Sequence, residues 1–171
     1  MLNEIRHIWQ MFLLAAVQVM VFNHIHLWGY AMPLITPLML LYLPINEGRI
    51  TTMLRLFLFG SVIDVLSGTP GQHAASLTLC GMMRQPMLRL TLPKEHLENM
   101  IPSVRTMRPW GHFMLLLLTC LVNHTAFFAL ESMNYFSTLS FLITLLSSIV
   151  LSMLIMMAAD KLRDRRTDAH E

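Results

Sequence analysis

Apolar residues run through this chain in long blocks separated by short polar or proline-bearing breaks, and these blocks set its predicted elements. A helix needs about 20 mostly apolar residues to cross a bilayer, somewhat fewer where flanking side chains snorkel. Six segments meet that measure: residues 8–28, 31–46, 51–67, 72–87, 110–130 and 138–159. The second is short and broken by Pro33, Pro37 and Pro44, and the fourth is the least apolar, with Arg84 and Pro86 near its end. The pattern predicts an all-α, polytopic membrane protein in a single domain, because no Gly/Ser-rich or Pro-rich stretch is long enough to act as a linker.

Composition points the same way, since 55% of the 171 residues are hydrophobic and 13% charged, outside the usual balance of a soluble domain. Charge placement then sets orientation. Arg6 precedes the first segment, Arg49 and Arg55 lie between the second and third, and Arg84, Arg89, Lys94, Arg105 and Arg108 surround the fourth connection inside the chain. Lys161, Arg163, Arg165 and Arg166 follow the sixth. All 12 Lys and Arg therefore belong to alternate connections, which by the positive-inside rule puts both termini in the cytoplasm. A four- or five-helix reading would move some of these charges outside, so six crossings are preferred. The apolar run after MLNEIRHIWQ has no small-residue cleavage site and is read as a retained helix.

One carboxylate stands inside the third block. A charge at that depth costs at least a few kcal/mol, so Asp64 is expected to face protein or water. Gly60, Asp64 and Gly68 are spaced by four and share a helix face, and the two glycines let another backbone approach closely. Two readings stand: a docking face for a partner with Asp64 as its polar anchor, or packing within the chain, with Asp64 accepting hydrogen bonds from the fourth helix or the turn. Ser67-Gly68-Thr69-Pro70-Gly71 predicts a tight turn, with His73 opening the next helix. Thr144, Ser148 and Ser152 form a similar strip, expected to pack within the bundle. Arg84, His124 and Glu131 are candidates for a polar network, the last two lying on nearly one helix face.

Asp64, His24, His26, His73 and Glu131 are residue types that suit zinc. The one close spacing among them, His24-x-His26, sets two imidazoles about 200° apart on a helix, and no metal or cofactor is expected. The 16 Met and two Cys are scattered without ligand spacing and are read as packing residues. The chain carries no phosphate-binding glycine loop, nucleophile elbow or HExxH helix, so no enzymatic activity is expected. Between Pro93 and Pro102, Leu97, Met100 and Ile101 fit either a short interfacial helix or an irregular inner loop.

Taken together, Gly60, Asp64, Gly68, Thr69, Pro70, Gly71, His73 and Ala74 resemble the glycine, in-membrane aspartate and Thr-Pro/Leu-Gly-x-His-Ala turn of the rod shape-determining protein MreD family, in its Bacteroidota-like branch. Arg84 and Pro86, Pro102 and the His124 to Glu131 segment add to the likeness, which extends over nearly the whole length. Gln85 separates Arg84 from Pro86, where the family commonly has an adjacent pair, and a single His stands at 124. The resemblance implies a non-enzymatic scaffold in the bacterial inner membrane. Its implied partners are the single-span protein MreC, a RodA-type glycan polymerase with its transpeptidase, and MreB filaments; no nucleic acid is expected. It also implies a bundle similar to the substrate-binding component of energy-coupling-factor transporters. The alternative function is therefore a small-molecule (vitamin-like) binding subunit of a transporter. Such a subunit usually carries an Ala-xxx-Ala-like strip in its first helix, whereas Ala15 and Ala16 here are adjacent, and the scaffold is preferred.

Overall fold

The structure, a computed structural model, describes residues 2–22, 32–91, 102, 107, 109–131 and 138–168. Among them are six helices: α1 (Leu2–Met20), α2 (Leu38–Tyr42), α3 (Arg49–Ser67), α4 (Gln72–Thr91), α5 (Pro109–Glu131) and α6 (Thr138–Asp168). No strand occurs among the described residues. Arg49–Ser67, Pro109–Glu131 and Phe141–Leu162 are long and apolar enough to cross a membrane. Only 33, 44 and 28% of the apolar window of each helix is buried inside the protein, and large apolar side chains such as Val65, Leu121 and Leu146 stand exposed, as on lipid-facing helices. This is a helical membrane protein.

Local chemistry sets the boundaries. Helix α3 ends where Gly68 takes the left-handed conformation (φ 69°) and its N–H returns to Asp64 O, a glycine C-cap. Helix α5 starts on Pro109, whose missing N–H falls among the groups with no intrahelical partner. Pro86 lies inside α4 without ending it. The helix therefore runs to Thr91, four residues past the predicted end at 87. Helix α6 is 31 residues long, about 46 Å at 1.5 Å per residue, and continues well beyond the predicted end at 159.

The second predicted element requires correction. Residues 31–46 were expected to form one helix, but only the five residues of α2 are helical, about 7 Å of rise. Residues 32–35 have no regular structure and Leu43 is extended. Every residue from 33 to 41 is nevertheless buried. The prolines explain the break: Pro33, Pro37 and Pro44 each lack an N–H, and each clashes with a preceding helical turn. Predicted helix 1 also shifts, since α1 ends at Met20 and residues 23–28 lie outside the described residues. The segment around Leu97, Met100 and Ile101, read as either a short interfacial helix or an irregular inner loop, and the pair His24 and His26 lie outside them too.

Helices α3 and α4 form an antiparallel hairpin that leads into α5, with α6 against α5. The core joins Leu56, Phe59 and Ile63 of α3, Leu77 of α4, Leu116 of α5 and Met39 and Leu41 of α2. Cys80 and Cys120 are buried thiols within it. The hairpin closes tightly at two levels. A Cβ on Gly60 would lie 2.6 Å from Ala74 Cα, and one on Gly81 would lie 3.2 Å from Met53 Cα, so each helix lets the other's backbone in at one glycine.

Candidate functional site

The turn between α3 and α4 is organised by one side chain. Asp64 is 7% exposed, and its Oδ1 accepts the Thr69 hydroxyl at 2.8 Å and the His73 N–H at 2.9 Å. Its Oδ2 accepts the Ala74 N–H at 2.9 Å. The first N–H groups of any helix lack intrahelical acceptors, and a capping side chain usually comes from the residue just before the helix. Here that residue is Gly71, whose carbonyl accepts the first helical bond from Ala75 N at 3.0 Å but which has no side chain to offer. Asp64 supplies the cap from the neighbouring helix. Its main-chain carbonyl also receives Gly68 N and Thr69 N.

The three residues of the predicted strip therefore do different things. Gly60 and Asp64 are spent on α4, one by close approach and the other by hydrogen bonding. Gly68 has nothing within 4 Å of where a Cβ would stand, so it is a glycine for its backbone angle and not for space. Between the exposed flank of α3 and the turn lies an open groove of about 500 Å³, walled by Phe57, Ser61, Val65 and Ala74 and bounded by Gly68, Thr69, Pro70 and Gly71, with Asp64 at its base.

A second constellation surrounds the broken segment. Buried backbone groups that are not in a helix need partners, and in a membrane protein those partners must be protein. Met32 N donates to Ser148 Oγ and Leu34 N to Ser152 Oγ, both at 2.9 Å. Ile35 N donates to Gln18 Oε1 at 2.8 Å, while Gln18 Nε2 donates to Pro33 O at 3.3 Å. Past the short helix, Arg84 Nη2 donates to Leu43 O at 2.7 Å and Pro44 O at 2.8 Å. Side chains from α1, α4 and α6 thus do for this segment what a continuous helix would do for itself.

A directed chain of bonds extends from it. Cys120 O can only accept, so His124 Nδ1, at 2.8 Å, carries the proton. His124 Nε2 then accepts from the Ser152 hydroxyl at 2.9 Å, which leaves a Ser152 lone pair for Leu34 N. His124 and Arg84 therefore serve opposite ends of the broken segment, and Glu131 is exposed at the last position of α5. The network expected of Arg84, His124 and Glu131 is not assembled as one cluster. Arg84 is 1% exposed, which removes it from the charges of the connecting segment. His73 is fully buried and packs its ring on Phe127, centroids 4.7 Å apart, so its role is internal to the α4–α5 contact.

Two participants carried little sequence signal. Gln18 was one amide in an apolar run, and it is fully buried. Asp160, one residue past the predicted end of the sixth segment, lies 2.7 Å from His112 Nε2, with the two side chains 2% and 5% exposed. No local spacing links residues that far apart in sequence. Comparison with protein-family models, with curated proteins and with solved structures returns no match for this chain.

Proposed function

We propose that this protein is a non-enzymatic, MreD-like scaffold of the bacterial cell-wall elongation machinery. It is a multi-pass inner-membrane protein with both termini cytoplasmic. It binds a MreC-type single-span protein and through it a RodA-type glycan polymerase, the associated transpeptidase and MreB filaments. The observation that carries this reading is the construction of the Gly60–Ala74 stretch. Its own hydrogen bonds hold the turn rigid, and beside it an open groove faces outward along α3. A rigid edge with an open flank suits a docking surface.

Six crossings require the broken segment to count as the second. Non-helical backbone rises up to about 3.3 Å per residue against 1.5 Å in a helix, so a broken segment covers a bilayer with fewer residues. Its burial and its side-chain partners meet the condition under which such backbone is tolerated at membrane depth. Exposed Trp9 and Trp110, at the starts of the predicted crossings 8–28 and 110–130, suit an aromatic belt on one membrane side. That is the side from which the first and fifth crossings both depart in this topology. The bundle architecture is then similar to the substrate-binding component of energy-coupling-factor transporters.

One observation favours the alternative, a vitamin-like binding subunit of a transporter: transporters place ligand sites at breaks in their helices. Against it, the backbone groups at this break go to Gln18, Ser148, Ser152 and Arg84. Affinity purification of the tagged chain from native membranes separates the two. Recovery of a MreC-type chain and the glycan polymerase is the expected result, and depletion of the protein should round the cells. Recovery of ATP-hydrolysing transporter subunits without them would overturn the scaffold.

A further inference from the structure

We propose that the groove beside the α3–α4 turn seats a Lys or Arg side chain carried on a membrane-embedded helix of the partner chain; this rests on the scaffold reading and supplies the chemistry of the contact.

Hydrogen accounting carries the inference. The polar side-chain atoms of the groove belong to Asp64, Ser61 and Thr69. The Ser61 hydroxyl hydrogen is already donated to Phe57 O at 2.9 Å, and that of Thr69 to Asp64 Oδ1 at 2.8 Å. Lone pairs are what these side chains offer an incoming group. Asp64 has about four acceptor positions, and Thr69, His73 and Ala74 occupy three of them. Two helix ends of opposite macrodipole sign meet at the groove, the C-terminus of α3 and the N-terminus of α4, so the negative sign of the site comes from the Asp64 carboxylate. The turn's Gly68 and Thr69 N–H groups are both spent on Asp64 O, and Pro70 has none. No basic side chain lines the groove.

The walls fix the shape of the matching group. Phe57, Val65, Pro70 and Ala74 make them apolar, so the fitting group has an apolar stem and a donor-rich cationic tip, as Lys and Arg do. The groove also lies at one end of a longer exposed stripe. Ile50, Leu54 and Val65 are 82, 57 and 83% exposed, and from residue 50 to residue 65 the stripe is about 22 Å long. A helix lying along α3 would bring one residue near its end into the groove. A zwitterionic lipid is a poorer occupant, because its phosphate arrives with its ammonium and meets the same lone pairs.

The test uses the full chain in phosphatidylcholine nanodiscs and a synthetic single-span Leu/Ala peptide with one Lys a turn from its end, compared with the same peptide carrying norleucine. The Lys peptide should bind about 10-fold tighter. Ser61→Trp, which fills the groove, and Val65→Lys, which places a cation in it from within the chain, should each abolish that preference while the thermal midpoint stays unchanged. Equal affinity for both peptides overturns the proposal, as does a preference that survives both substitutions. Loss of the preference when phosphatidylethanolamine replaces phosphatidylcholine assigns the site to lipid and also overturns it. In native membranes, a MreC-type chain that still co-purifies with both variants would sink this contact and leave the scaffold reading standing. Its absence from the unmodified protein would sink the scaffold.

Discussion

The Asp64 carboxylate and the Ala74 backbone meet at 2.9 Å across two helices, directly beside the point where Gly60 admits the same residue. A Cβ on Gly60 would stand 2.6 Å from both Ala74 Cα and Ala74 N. One residue of α4 is thus held sterically by a glycine and chemically by an aspartate one turn further along α3. The two contacts depend on each other: any side chain at 60 that pushed α4 away would lengthen the bonds at His73 and Ala74. Spacing of four along α3 is the geometric condition for both to reach the first turn of α4.

Substitutions at Asp64 should rank by the number of donors they leave stranded. Asn keeps the shape but has one accepting oxygen, so at least one of Thr69, His73 and Ala74 then faces an NH₂ group. Asp64→Asn should cost about 1–3 kcal/mol, the range for one buried group left unsatisfied. Asp64→Leu strands all three and should cost about 3–5 kcal/mol. Thermal unfolding in nanodiscs gives the order. Equal stability of Asp64→Asn and the parent chain would show that the carboxylate is not acting as the cap.

Gly60 and Gly68 should fail for different reasons. Gly60→Ala places a methyl against backbone atoms of His73 and Ala74, which have no rotamer by which to move, and should destabilise by about 1–3 kcal/mol. Gly68→Ala meets open space but a φ of 69°, and should cost about 1–2 kcal/mol through backbone strain alone. The discriminating measurement is amide exchange at 73 and 74. It should accelerate in Gly60→Ala beyond what the change in global stability accounts for, and it should follow global stability in Gly68→Ala.

The parts of the fold that block length specifies were legible. Helices α3 and α5 start or end within two residues of their predicted limits. The broken segment was not, because an apolar block containing three prolines has the hydropathy of a helix without the donors of one. Its signal lay elsewhere, in Gln18 and the Ser148–Ser152 pair, polar residues in apolar helices whose partners are distant backbone groups. Arg84 misled for a related reason. Counted with the cytoplasmic charges, it lies inside α4 bound to Leu43 and Pro44 carbonyls. The turn motif was legible as a motif, but its spacing could not say that Gly68 serves a backbone angle while Gly60 serves contact. That distinction needs the position of Ala74.

Arg84 should resist replacement by Lys. A single guanidinium nitrogen reaches two adjacent carbonyls at 2.7 and 2.8 Å, and the planar fork holds that nitrogen in place at lower entropic cost than a flexible ammonium. Arg84→Met, close in volume, leaves both carbonyls without a donor and should cost about 2–5 kcal/mol. Arg84→Lys should fall between Met and the parent. Lys fully equal to Arg, or Met as stable as either, in the same unfolding assay would mean that these carbonyls find other donors and that Arg84 is not what holds the end of the segment.

Ser148 and Ser152 occupy equivalent places one helical turn apart, yet they should differ in cost. Ser148→Ala strands one donor, Met32 N, whereas Ser152→Ala strands Leu34 N and His124 Nε2 together. Expected losses are about 1 kcal/mol for the first and about 2–3 kcal/mol for the second, at the upper end of polar contacts between membrane helices. The excess at Ser152 belongs to His124, and a double-mutant cycle isolates it. With His124→Leu already in place, Ser152→Ala should cost about 1 kcal/mol, as Ser148→Ala does, giving a coupling energy of about 1–2 kcal/mol. Amide exchange over residues 32–36 should rise in either single serine variant and rise furthest in the pair. Strict additivity of Ser152→Ala and His124→Leu would show that the serine serves Leu34 alone and that the bond to His124 contributes nothing to holding α5 and α6 on the broken segment.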